Sequence, residues 1–258
     1  MGMLERIKKK QWDGFKDFVE NMEVTPSVQR PAILMNGILE DPRFMRWVTK
    51  NLRGFNDFMD LPADEIEAVL KSNESIVGVF AKAVEVKTPE DMQALARNLP
   101  RIFGKLKEEI EYRKDISASE RESAQFFLMK TVRKMQRQET IQGFRWELPP
   151  PEVFQEKLQT KDGLVQILFE DGKLAAEGEV LKGKRIGAWK HYYDDGRLLA
   201  EGLYVEGSKH GKWLFHYGQG TPRAEGKFVS DARQGIWREW DRNGVEKETE
   251  WVDGKKKV

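Results

Sequence analysis

The sequence predicts an α+β protein with its two kinds of structure in separate domains: an all-α, multi-helix N-terminal domain, then a single-layer antiparallel sheet of repeated β-hairpins. Three observations carry this. Trp189, Trp213 and Trp237 recur at a step of 24, as do Gly187, Gly211 and Gly235, and Gly178, Gly202 and Gly226. Such a fixed period of about two dozen residues is the mark of a repeat architecture. Before the repeats, apolar residues recur at helical spacing for about 140 residues. Between the regimes stands Pro149-Pro150-Pro151, which favours extended polyproline II and reads as a stiff spacer. The expected division is therefore a helical domain over 1–148, a Pro-rich linker over 149–161 and a repeat domain over 162–258.

From the N-terminus, Leu4, Ile7, Phe15, Phe18, Val19 and Met22, with Trp12 between them, mark a first amphipathic helix. Thr25-Pro26 and Asp41-Pro42 each supply an N-cap followed by a proline at the first helical position. Pro62 opens a segment that turns Ile66, Val69 and Leu70 inward, and 75–84 is a more apolar helix. Thr88-Pro89-Glu90-Asp91 is a further cap, with acid in the first turn to complement the helix dipole. A charged helix runs from Pro100 to near Arg113, and Ser117 with Glu120 forms a capping box for a long helix ending near Gln138. Residues 154–160 are read as one helical turn or as a cover for the first edge of the sheet.

In the repeats, Asp171-Gly172, Asp195-Gly196, Gln219-Gly220 and Asn243-Gly244 join alternating runs, as tight two-residue turns with positive φ would. Period two puts Trp189, His191 and Tyr193 on one face of their strand, and Leu198, Ala200, Gly202 and Tyr204 on a common face of the next. There the glycine leaves room for a neighbouring indole, which accounts for the Gly and Trp columns together. In the fourth unit Glu248, Trp251 and Gly254 follow Glu201, Tyr204 and Gly207 by 47 rather than twice 24, so one residue is lost. Terminal repeats often deviate in this way because they cap the stack.

The residues Glu201-Gly202-Leu203-Tyr204, Gly211-Lys212-Trp213 and Tyr217 through Gly220, with their equivalents one period away, resemble MORN repeats, in the bacterial variant seen in YwqK-type antitoxin proteins. The resemblance covers 162–258 and implies a β-hairpin ladder that binds proteins. It further implies membrane association in some members and a neutralising role in the antitoxin variant. From Phe58 to Ile141 the chain resembles the C-terminal helical domain of the flagellar motor-switch protein FliG, through Ile66 with Val69-Leu70-Lys71, Ala81-Lys82-Ala83, Asn98-Leu99 leading to Arg101, 106–112, and Ala124-Gln125. In that family a charged ridge meets stator proteins. By resemblance, Lys82, Arg101, Glu108 and Glu109 occupy the ridge, and Ser117 stands where the family has a loop arginine.

Charge is balanced in both halves, with 18 basic and 17 acidic residues from position 161 onward and 26 of each before it. That argues against bulk attraction to nucleic acid or anionic membrane. The absence of cysteine excludes disulfides, thiolate metal sites and cysteine nucleophiles, and fits a reducing compartment. No apolar run reaches the roughly 20 residues of a membrane span, and the N-terminus lacks a secretory core. The histidines His191, His210 and His216 lie beside aromatic columns without carboxylates at metal-ligand spacing, and Glu177, Glu201 and Glu225 recur as a repeat column rather than a catalytic pair. No cofactor or metal is expected. The expectation is a non-enzymatic cytoplasmic scaffold or adaptor for another protein. Its candidate contact residues are Lys82, Arg101, Glu108 and Glu109 on the ridge, and Trp189, His191, Tyr193, Trp213, Phe215, Tyr217 and Trp237 on the aromatic face of the sheet. An antitoxin or immunity-type protein that sequesters a toxin, and a membrane-surface module, are the alternatives.

Overall fold

A computed structural model describes residues 3–113, 115–154, 162–169 and 171–257. Helices occupy the first part of the chain and an antiparallel sheet the second, so the fold is α+β with the two kinds of structure in separate domains. The chain falls into two compact units, Met1–Met35 with Arg46–Phe154, and Asn36–Met45 with Gln155–Val258.

In the first unit the expected first helix is two, α1 (Met3–Lys9) and α2 (Gln11–Glu23). The break falls at Gln11, whose φ is +48°. Gly14 makes it possible: a Cβ there would lie 2.2 Å from the Ile7 carbonyl oxygen, so only glycine lets α2 start so close to α1. The next helix, α3 (Arg30–Glu40), begins later than Thr25-Pro26 predicts. The Thr25 hydroxyl donates back to the Asn21 carbonyl at 2.8 Å, and a turn from Pro26 precedes the helix. Asp41, in the Asn36–Met45 segment that belongs to the second unit, caps α4 (Pro42–Asn51) by accepting from the Phe44 amide at 3.1 Å.

The remaining helices surround one core: α5 (Phe55–Met59), α6 (Ala63–Lys71), α7 (Ile76–Ala83), α8 (Pro89–Asn98, through Leu95), α9 (Phe103–Tyr112) and α10 (Ala118–Arg137). Phe58, Val69, Phe80, Leu106, Leu128 and Val132 are wholly buried in it. The predicted capping box Ser117–Glu120 forms at α10, and the cap expected at Thr88 is a capping box as well, with Asp91, at α8. One buried feature escaped the sequence reading. Arg133 of α10 grips Glu23 of α2 with two hydrogen bonds, of 3.0 and 2.5 Å, and its guanidinium lies 4.3 Å from the Trp146 ring centroid. Burial pushes the Glu23 carboxyl up, while Arg133 and the Arg53 amide pull it down.

The triple proline does not stand free. The Trp12 indole donates to the Pro149 carbonyl at 3.0 Å, Asn51 bonds both backbone groups of Glu147 at 2.8 Å, and a 3₁₀ turn (Pro151–Phe154) buries Val153 and Phe154. The cover expected over the first sheet edge lies, beyond Phe154, outside the described residues.

In the second unit, nine strands among the described residues form one sheet in sequence order: β1 (Gly163–Leu168), β2 (Leu174–Leu181), β3 (Lys184–Tyr192), β4 (Leu198–Val205), β5 (Ser208–His216), β6 (Pro222–Val229), β7 (Ala232–Trp240), β8 (Glu246–Val252) and β9 (Lys255–Lys256). Every neighbouring pair is antiparallel.

The two-residue turns stand at the opposite ends of the strands from those expected. Lys182-Gly183, Glu206-Gly207, Ser230-Asp231 and Asp253-Gly254 have positive φ at both positions, as type I′ turns require. At the ends carrying Asp195-Gly196 and its equivalents, the loop has one more residue. The Tyr193 amide donates to the Arg197 carbonyl at 2.8 Å, the Gly196 amide donates to the Tyr193 carbonyl at 3.0 Å, and only the glycine has positive φ. The residue lost in the fourth unit is a bulge residue. Tyr192 pairs with Leu198 across a register shift that skips Leu199, whereas Trp240 pairs with Glu246 in an unbroken register.

Candidate protein-interaction site

The inner face of the sheet is a continuous aromatic stack. A Cβ placed on Gly178, Gly202 or Gly226 would lie 2.3 Å from Cδ2 of Trp189, Trp213 or Trp237 respectively, so each ring rests directly on a glycine of the preceding strand. All three indoles are buried. Their N–H groups donate to the carbonyls of Glu179, Leu203 and Lys227 at 3.0–3.1 Å. Tyr204 meets Trp213 edge-on at 5.1 Å and Phe228 meets Trp237 at 4.9 Å, geometries that favour aromatic pairs. Phe215 is buried against Trp213.

Tyr193 and Tyr217 tie successive repeats together. Their hydroxyls donate to the carbonyls of His216 and Trp240 at 2.7 and 2.8 Å. Partial burial pushes the Tyr193 phenol up.

His191 stands one period before Phe215. It is wholly buried between Trp189 and Trp213, and neither ring nitrogen has a hydrogen-bond partner. Burial first, then the charges of Arg185 and Lys209, push its pKa well below the ordinary histidine value, so the ring is neutral. Among the described residues no group of carboxylates and histidines could hold a metal ion.

A column that the sequence reading missed carries cations. Arg185 lies over Trp189 at 4.7 Å, Lys209 over Phe228 at 5.2 Å, and Arg233 over Trp237 at 4.1 Å. Arg185 also donates to the carbonyls of Leu39 and Glu40. The signal was present, because these three follow the same step of 24.

The outer face is partly to fully exposed and differs in chemistry. Across its middle, register places Glu177, Lys190, Glu201, Leu214, Glu225, Arg238 and Glu248 side by side. Arg238 bonds Glu248 at 3.1 Å and Lys212 bonds Glu225 at 2.9 Å. Beside this ladder, at the type I′ turns, Leu181, Leu203, Val205, Val229, Ile236 and Val252 are exposed.

On the helical unit, Arg101 reaches Glu67 at 3.5 Å, and Glu109 accepts from Arg113 at 2.6 Å against Gly78 of α7. Lys82 lies one turn beyond Gly78, and its charge helps hold the Glu120 carboxyl low, after the hydrogen bonds from Ser117. Glu108 is exposed. The structure thus puts Glu109 against the helix that carries Lys82, while Arg101 is engaged with α6. Arg113, which the sequence reading passed over, supplies a guanidinium at the end of α9. Between α2 and α10 lies an open recess of about 830 Å³, lined by Lys16, Asp17, Glu20, Arg137 and Trp146 among others.

A helical unit with a charged surface, followed by a hairpin-repeat sheet, is the architecture of a protein-interaction module. Residues 39–142 match the family model of the FliG C-terminal domain, and residues 185–206 match that of the MORN repeat variant. Both resemblances read from the sequence are therefore found. No curated protein matches the chain. Among solved structures it is similar to the crystal structure of TarM, at 11% identity and a TM-score of 0.26, over 72% of this chain and 38% of that one. The chain thus spans less than half the length of that protein, and so slight a likeness carries no argument. Among the described residues, no helix is long and apolar enough to cross a membrane.

Proposed function

We propose that this chain is a non-enzymatic scaffold or adaptor of the cytoplasm that binds another protein through the outer face of its sheet, with the charged helical ridge as a second contact. The observation that carries the reading is the division of labour between the two faces. The inner face spends its aromatic residues on its own packing, leaving the outer face to present exposed aliphatic side chains beside a charge ladder once per repeat. Aliphatic residues ringed by charge are what a protein contact uses, the first for buried area and the second for specificity. The lack of cysteine fits the reducing compartment. The test is affinity capture from native cells with the full chain and with Val205→Lys/Val229→Lys. Loss of the same captured protein from the variant supports the outer face, and undiminished capture by a folded variant refutes it.

A further inference from the structure

The two edges of the sheet are built differently. Among the described residues the last strand at the other end is β9, two residues long, within the run Lys255-Lys256-Lys257. Short strands and lysines are the devices that stop an edge from pairing with another chain. The near edge is β1, Gly163-Leu164-Val165-Gln166-Ile167-Leu168, which has no charged residue and no proline. β1 pairs on one side with β2 and stands last in the strand order of the described residues. Its outer-face residues Leu164 and Leu168 are 89% and 45% exposed. Among the described residues no strand pairs with the outer edge of β1, and its own sequence holds none of the devices that discourage a partner.

We infer that β1 pairs antiparallel with β1 of a second copy of this chain, about a two-fold axis through Gln166, joining two sheets into one. The sequence of β1 selects that partner. With the axis at Gln166, Leu164 faces Leu168 of the other copy, Val165 faces Ile167, and Gln166 faces itself. Every apolar residue then meets an apolar residue on its own face of the sheet, and amide meets amide, the kind of cross-strand pairing that stabilises sheets. A partner strand bearing charges would bring them against Leu164 and Leu168. Since a two-fold pairing uses β1 of both copies, association closes at two copies rather than running on as a filament. One strand pair buries less than the about 1,200 Å² of a standard interface, so the dimer is reversible.

Sedimentation of the full chain over a concentration series tests this, with circular dichroism as the folding control. The expected result is a weight-average mass that rises from the 30.0 kDa monomer toward twice that value. Gln166→Lys sets like charges across the axis and should weaken the dimer at least tenfold, as should Gln166→Glu. An equimolar mixture of the two should restore association. Because the chain has no cysteine, Gln166→Cys under mild oxidation should give a disulfide-linked dimer while Leu164→Cys alone does not. A monomer at every concentration overturns the inference. So does a dimer indifferent to Gln166→Lys, which would place the contact elsewhere, or cross-linking of Leu164→Cys as efficient as that of Gln166→Cys.

Discussion

Adding one methyl group at Gly202 should cost about as much as removing the whole of Trp213, and the two losses should not add. The Cβ of Gly202→Ala would lie 2.3 to 2.5 Å from three atoms of the indole, well inside contact distance, and the ring has no free side to move to because it is wholly buried. It must therefore leave its seat, giving up its bond to the Leu203 carbonyl and its contacts with Tyr204 and Phe215. Trp213→Ala loses the same interactions outright, at about 3–5 kcal/mol for a buried aromatic. In the double variant the new methyl enters space already vacated, and alanine is favoured over glycine in a strand interior by roughly 0.5–1 kcal/mol. The double variant should then be no less stable than Trp213→Ala, giving a coupling of about 3–5 kcal/mol between residues that pair across neighbouring strands. Urea denaturation of the full chain, followed by far-ultraviolet circular dichroism, measures all four corners of the cycle. Additive losses, or a Gly202→Ala variant within about 0.5 kcal/mol of the parent, would refute the seating of the ring on the glycine.

Trp237→Ala should cost nearly as much as Trp213→Ala, since both rings are fully buried, and Trp251→Ala should cost less because that ring is partly exposed; the same denaturation series ranks them. His191 has a folded-state pKa below its unfolded value, so the unfolded chain binds its proton first as pH falls. Stability from this group is complete above about pH 6.5 and should decline by about 1.4 kcal/mol per pH unit below it, until the folded pKa is reached. His191→Phe, which restores the residue found at Phe215, should flatten that part of the pH–stability curve. Breaking the buried pair with Arg133→Met should cost about 3–5 kcal/mol by stranding Glu23, read as a lower urea midpoint, while replacing both partners by apolar residues should recover much of the loss. Glu108→Lys should leave the unfolding free energy within about 0.5 kcal/mol of the parent because the side chain is exposed, yet weaken binding of the protein that affinity capture identifies; unaltered affinity removes the ridge as a contact.

The 24-residue step determined the hairpin ladder, the Gly and Trp columns and the missing residue of the fourth unit. It could do so because strand pairing between sequence neighbours is local, and a side chain every second residue has only two faces to choose from. Helix caps were legible for the same reason, as Thr88 with Asp91 and Ser117 with Glu120 satisfy groups within one turn. Tertiary structure alone decided what lay far apart in the chain. Glu23 and Arg133 meet across 110 positions, and nothing local distinguishes either from a surface residue. The break at Gln11 depends on the closeness of two helices, and the docking of Pro149 on its contact with Trp12, 137 residues away. The Trp columns illustrate the division most sharply. Their period was plain in the sequence, but whether the rings form core or contact surface depends on what surrounds each one. The structure surrounds them with neighbouring repeats and a column of cations, which makes the rings core.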